Sequence, residues 1–151
     1  MELSQFLKKE ESICVVGLGY VGLPLATILS RKFKVVGFDI NENRIQSLND
    51  GHDATREVDD ETLKNCGVEF SSDPSVIGES PVIIVTVPTP VSTNKIPDLS
   101  PVVAASRTVG KHMMEGSVVV YESTVYPGVT EDRCVPILEE ESGFVYGRQF
   151  N

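Results

Sequence analysis

Residues 13–22, ICVVGLGYVG, constrain this chain more than any other stretch, because an apolar run opens directly into glycines at Gly17, Gly19 and Gly22 and then into a helix-like segment. The spacing G-x-G-x-x-G has a physical reading. Gly17 allows the tight turn out of a strand, and Gly19 lets backbone approach a diphosphate with no side chain between. Gly22 lets the following helix pack closely on the sheet. The start of that helix supplies unpaired N–H groups and the positive end of its dipole, and both favour an anion.

A second apolar run, Lys34 to Phe38, ends in Asp39, about 20 residues after the glycines, where a dinucleotide fold needs an acid. A carboxylate there accepts the hydroxyls of an adenosine ribose and repels a 2′-phosphate, so the expected cofactor is NAD rather than NADP. Arg44, in the segment DINENR that begins Asp39-Ile40, is expected over the adenine. Together these features predict an α/β fold of the Rossmann type: doubly wound, with a mainly parallel sheet and helices on both faces.

A chain of 151 residues is expected to form one domain with a substantial core. Apolar content of 40% and charged content of 23% fit a soluble globular protein. No apolar run reaches the roughly 18 residues of a membrane span, and MELSQFLKKEES lacks a signal-peptide character, so the cytoplasm is the expected address. A net charge of -9 argues against nucleic acid or an anionic membrane as partner, since both need basic patches. An anionic ligand must then be held by local backbone dipoles. The three cysteines, Cys14, Cys66 and Cys134, read as free thiols in a reducing compartment, and neither they nor His52 and His112 show a metal-binding spacing.

In chain order, a polar lead-in with a short helix precedes a strand at Ser12–Val16. A helix over Tyr20–Arg31 carries Val21, Leu25, Ile28 and Leu29 at helical spacing, with Pro24 in its first turn. A strand at 34–39 leads to a helix over Asn41–Asn49 capped by Asn41. The polar stretch His52–Asp60 fits no element. Asp59–Asn65 reads as a short helix, Val68–Ser71 as a strand and Asp73–Glu79 as a helical turn. Pro81–Val87 is the clearest buried strand, closed by Pro88-Thr89-Pro90. Because ligands bind at the carboxyl ends of such strands, Val87, Pro88 and Thr89 are expected to face the cofactor.

A polar loop over Val91–Pro97 is followed by a helix to about His112, with Ser100 as its cap. Ser117–Tyr121 is a strand that feeds Ser123-Thr124, a hydroxyl pair placed to touch the nicotinamide or the reacting carbon, with Thr124 the preferred member. Glu122 is a weaker candidate base. A helix over Val129–Glu140 follows, and the final stretch, 141–151, contains no recognisable strand.

GLGYVGLPLA at Gly17–Ala26, FDIN at Phe38–Asn41 with Arg44, VPTP at Val87–Pro90 and YESTVYPGVTE at Tyr121–Glu131 resemble the amino-terminal domain of the nucleotide-sugar 6-dehydrogenases, the UDP-glucose/GDP-mannose dehydrogenase family. The forms PTPVSTNKIPDLSPV and STVYPG are similar to the branch acting on UDP-N-acetylglucosamine or UDP-N-acetylgalactosamine. The resemblance implies oxidation of the sugar C6 alcohol to a carboxylate with two NAD, through a thioester on a cysteine. It also implies that Tyr20, Val21, Asp39, Arg44, Thr89 and Thr124 contact NAD, with Thr124 also near the reacting centre.

The family's S-P-E-R segment, its connecting helix and the carboxyl-terminal domain with the nucleophilic cysteine have no counterpart here, and Cys134 does not match that cysteine's motif. The chain is therefore expected to be a fragment that binds NAD and turns over no substrate. The UDP-sugar pocket would lie largely outside it, and the whole protein is expected to be a homodimer or higher oligomer. The resemblance further implies a bacterial role in capsule or surface polysaccharide assembly. Two other readings stay open at this point: a β-hydroxyacid dehydrogenase cofactor domain and a non-catalytic NAD-sensing domain.

Overall fold

Apolar strands covered on both faces need helices on each side of a sheet, and the computed structural model of the chain, which describes residues 2–91 and 97–151, has that arrangement. Five strands, β1 (Ser12–Val16), β2 (Lys34–Phe38), β3 (Val68–Ser71), β4 (Val82–Val85) and β5 (Val118–Tyr121), form one parallel sheet in the order β3-β2-β1-β4-β5. The chain runs outward from β1 in one direction and then restarts at β4 on its other side. That reversal opens a crevice between the carboxyl ends of β1 and β4, where Val16 and Val85 are in register.

Helices α1 (Leu3–Leu7), α2 (Gly22–Ser30), α3 (Glu42–Asn49), α4 (Asp60–Asn65), α5 (Ser100–His112) and α6 (Val135–Ser142) connect or flank the strands. A 3₁₀ turn at Pro74–Glu79 and a π turn at Thr130–Cys134 complete the described elements.

Successive side chains of β1 point to opposite faces and build two cores. Cys14 and Val16 pack with Ile83 and Val85 under Val109 of α5 and Leu138 of α6. Val15 packs with Val35 under Leu23 and Ala26 of α2 and Ile45 and Leu48 of α3. Side-chain caps fix two helix starts as their sequences imply: Asn41 accepts the Arg44 N–H at 3.1 Å and Asp59 accepts the Thr62 N–H at 2.8 Å.

Several details depart from the sequence reading. Helix α2 does not turn Val21 and Ile28 inward; both are exposed, and Gly22, Leu23, Ala26, Thr27 and Ser30 face the protein. The cause is Gly22, where a Cβ would collide with the Gly17 carbonyl and the Thr86 hydroxyl. With Gly22 against the turn, the residues four and eight positions on, Ala26 and Ser30, must share its face.

Ser100 does not cap α5. Leu99 occupies the cap position, and the carboxylate of Asp98 accepts the Ser100 N–H at 2.9 Å instead. The helix expected over Val129–Glu140 is interrupted because Pro136, in the first turn of α6, has no N–H for the preceding turn. The wider π turn absorbs the loss, with the Val135 N–H reaching back to the Thr130 carbonyl.

The final stretch is ordered along β5. Asn151 donates to the Ser117 carbonyl at 3.0 Å and accepts from the Val119 N–H at 2.7 Å, while Phe150 is only 1% exposed. Of the loop expected at Val91–Pro97, residues 92–96 lie outside the described residues, and its ends Val91 and Pro97 form an antiparallel bridge.

Candidate functional site

The reversal in strand order creates a cleft of about 460 Å³ over the ends of β1, β2 and β4. Its floor is Val16, Gly17, Leu18 and Gly19; Phe38, Asp39, Ile40, Asn41, Arg44 and Thr55 form one wall. Thr86, Val87 and Pro88 after β4, with Pro101, Ala104, Ala105 and Thr108 of α5, form the other.

The glycine turn is held from below. Gly17 has φ +93, a left-handed conformation that side chains disfavour, and its N–H donates to the Phe38 carbonyl at 2.8 Å. The Thr86 hydroxyl lies 2.6 Å from the Gly17 carbonyl and 3.1 Å from that of Val16, so the first residue past β4 buttresses the turn.

Gly19 differs from its neighbours, since a Cβ added there meets nothing within 4 Å. The chain's own packing therefore does not require glycine at that position, and the bare backbone faces the cleft. Among the described residues, the N–H groups of Tyr20 and Val21 have no partner, and both belong to the lead-in of α2, where the helix dipole is positive. Bare backbone, unpaired donors and open space above Gly19 fit a diphosphate.

Asp39 stands where β2 ends. One carboxylate oxygen accepts the Leu18 N–H at 2.8 Å and the other accepts the Asn41 N–H at 2.9 Å. Each oxygen keeps acceptor capacity for a ribose hydroxyl, and the two bonds hold the carboxylate plane in place. Arg44 lies beside it, fixed by the Leu18 carbonyl and by Asp53. Asp53 and Thr55 come from the polar stretch that fits no element in the sequence. The short pattern Asp-x-Thr, a turn in which an aspartate caps the backbone two residues on, was the available signal.

Of the residues singled out from sequence, Gly17, Gly19, Asp39, Ile40, Arg44, Val87 and Pro88 line the cleft. Gly22 lies behind the turn, and Tyr20 and Val21 lie beyond Gly19 with exposed side chains. Thr89, Ser123 and Thr124 are outside the cleft but joined to its rim: the Ser123 hydroxyl donates to the Val87 carbonyl at 2.7 Å, and the Thr89 hydroxyl donates to the Thr124 carbonyl at 2.6 Å. Sequence reasoning missed Leu18, Thr86, Asp53, Thr55 and the α5 wall.

A parallel sheet with a glycine turn, an acid at the end of the neighbouring strand and a crevice at the strand reversal defines a dinucleotide-binding domain. Comparison with known proteins identifies it further. Residues 11–151 match the UDP-glucose/GDP-mannose dehydrogenase family, NAD binding domain, and the chain belongs to that family. It is 51% identical over 139 residues to Protein CapL of Staphylococcus aureus, covering 92% of this chain and 33% of that protein. It is 50% identical over 143 residues to UDP-N-acetyl-D-glucosamine 6-dehydrogenase of Pseudomonas aeruginosa, covering 94% of this chain and 34% of that one.

The crystal structure of a GDP-mannose dehydrogenase ternary complex from Pseudomonas aeruginosa superposes with a TM-score of 0.85 at 30% identity, over 92% of this chain and 34% of that chain. This chain thus spans about a third of the length of the relatives it matches. The family assignment makes NAD the cofactor and displaces the β-hydroxyacid dehydrogenase alternative. No described helix is long and apolar enough to cross a membrane.

Proposed function

We propose that this chain is the cofactor-binding part of an enzyme that oxidises the C6 hydroxyl of a UDP-N-acetylhexosamine, GlcNAc or GalNAc, to the uronic acid with two NAD. The observation that carries the reading is the pairing of Asp39 with the glycine turn across the Leu18 N–H, which aligns a ribose acceptor with a bare diphosphate seat. Two relatives at 50% and 48% identity named UDP-N-acetyl-D-glucosamine 6-dehydrogenase support the glucosamine form of the substrate, and a galactosaminuronic acid dehydrogenase at 40% supports the alternative sugar.

Bound NAD supplies a hydride acceptor. The chain's own residues bind and orient it: Asp39 holds the ribose diol, the N–H groups of Tyr20 and Val21 face the diphosphate, and Val87 and Pro88 border the nicotinamide end. Thr89 and Ser123 spend their hydroxyls on carbonyls of the joined loops, whereas the exposed Thr124 hydroxyl has no partner among the described residues. Thr124 is therefore the hydroxyl we assign to the reacting centre. The nucleophilic cysteine and the sugar pocket belong to the rest of the whole protein, which we take to be cytoplasmic and a homodimer or higher oligomer.

Calorimetric titration of the chain should give clear binding of NAD and much weaker binding of NADP, with no UDP-sugar oxidation. Tighter binding of NADP, or turnover by this chain alone, would overturn the reading. Assay of the whole protein on a panel of UDP-sugars decides between the two N-acetylhexosamines.

A further inference from the structure

Asp39 and Arg44 are the charged side chains among the described residues that line the cleft. In a chain of net charge -9, the guanidinium of Arg44 would be the natural anchor for an anion. Four of its five N–H donors are committed elsewhere. Nε and Nη2 both donate to the Leu18 carbonyl, at 2.9 and 2.8 Å, and Nη1 donates to Asp53 at 2.7 Å. Nη2 also lies 3.4 Å from the Thr55 hydroxyl. A single Nη1 N–H is left without a partner among the described residues, too little for the two-pronged grip that an arginine makes on a phosphate.

Asp53 holds that arrangement from a buried position, with its residue only 2% exposed. One of its oxygens receives Arg44, the Thr55 N–H at 2.9 Å and the Thr55 hydroxyl at 2.7 Å. The other receives the N–H groups of Glu57 at 2.9 Å and Val58 at 3.0 Å. So many donors keep the carboxylate ionised out of water, and its charge cancels that of Arg44 beside the cleft.

The geometry points to Asp53 as a positioning residue for cofactor choice: it neutralises Arg44 and locks the guanidinium edge away from the ribose, so that a 2′-phosphate finds no cation. An arginine near the ribose is the usual means of accommodating that phosphate. Asp39 repels the 2′-phosphate directly, and Asp53 withholds the group that would compensate. The inference rests on the reading that the Asp39 end of the cleft takes the adenosine ribose.

The test is titration of the 151-residue chain and its variants with NAD and with NADP. Asp53→Asn keeps the shape of the side chain and removes its charge; the NADP-to-NAD ratio of dissociation constants should fall by about fivefold or more, and adding Arg44→Gln to it should abolish the change. Equal losses for both nucleotides in Asp53→Asn would overturn the inference, because they would mean that Asp53 only folds its loop.

Arg44→Gln alone supplies a second measurement that does not depend on the folding of an Asp53 variant. It should weaken NAD and NADP by the same factor, and a selective loss of NADP would show that Arg44 already reaches the phosphate and overturn the lock. Failure of the unmodified chain to bind NAD would instead remove the reading of the cleft, and the inference with it.

Discussion

The glycines of the turn have separate reasons to be glycine, and the difference is measurable. Gly22 faces the Gly17 carbonyl and the Thr86 hydroxyl, so Gly22→Ala must push backbone apart and should cost about 2–3 kcal/mol in thermal or denaturant unfolding. Gly19 faces open space, so Gly19→Ala should leave stability within about 0.5 kcal/mol of the parent while weakening NAD about tenfold or more. Parallel unfolding curves and calorimetric titrations of the two variants check this; a Gly19→Ala chain that binds NAD normally would remove the diphosphate from the turn. Gly17, Gly22 and Asp39 were legible because each satisfies a local geometric demand. Asp53 was not, because its partners, Arg44 and the backbone of Glu57 and Val58, are set by how a polar loop folds back on α3.

At the level of elements, strand positions were the most readable feature. Ser12–Val16 and Val68–Ser71 have the expected bounds, since unbroken apolar runs between turn residues leave little freedom. The inward face of α2 was not readable from apolar spacing, because close packing at Gly22 decides the rotation of the helix. The last residues were harder still: Gly116 donates to the Gln149 carbonyl at 2.6 Å, and Phe150 fills the core beside Tyr146, yet no apolar run announces a strand there. Phe150→Ala should therefore destabilise the domain by about 3–4 kcal/mol, as for a buried aromatic, and should speed amide exchange along β5. A loss below 1 kcal/mol would mean that the tail adds little to the sheet.

For the molecule as a whole, stability is tied to groups that line the crevice or support its wall. Burial alone would raise the Asp53 carboxyl, but hydrogen bonds from Thr55, Val58 and Arg44 outweigh it and hold the group well below the ordinary carboxylate range. The unfolded chain therefore binds this proton more readily than the folded one. The stabilisation is complete above the unfolded value of about 4 and drains away as pH falls further. Denaturant unfolding of the parent and Asp53→Asn should differ by a constant, about 2–3 kcal/mol, between pH 7 and 5, and the gap should narrow below about pH 4. A gap that is unchanged at pH 3 would show that the charge of Asp53 does not contribute.

The hydroxyls of Thr89 and Ser123 give the rim of the crevice a mechanical character. Each crosses from one loop to a carbonyl of the other, so the segments after β4 and β5 are laced in both directions. The two bonds thus couple the segment that carries Pro88 to the segment that carries Thr124.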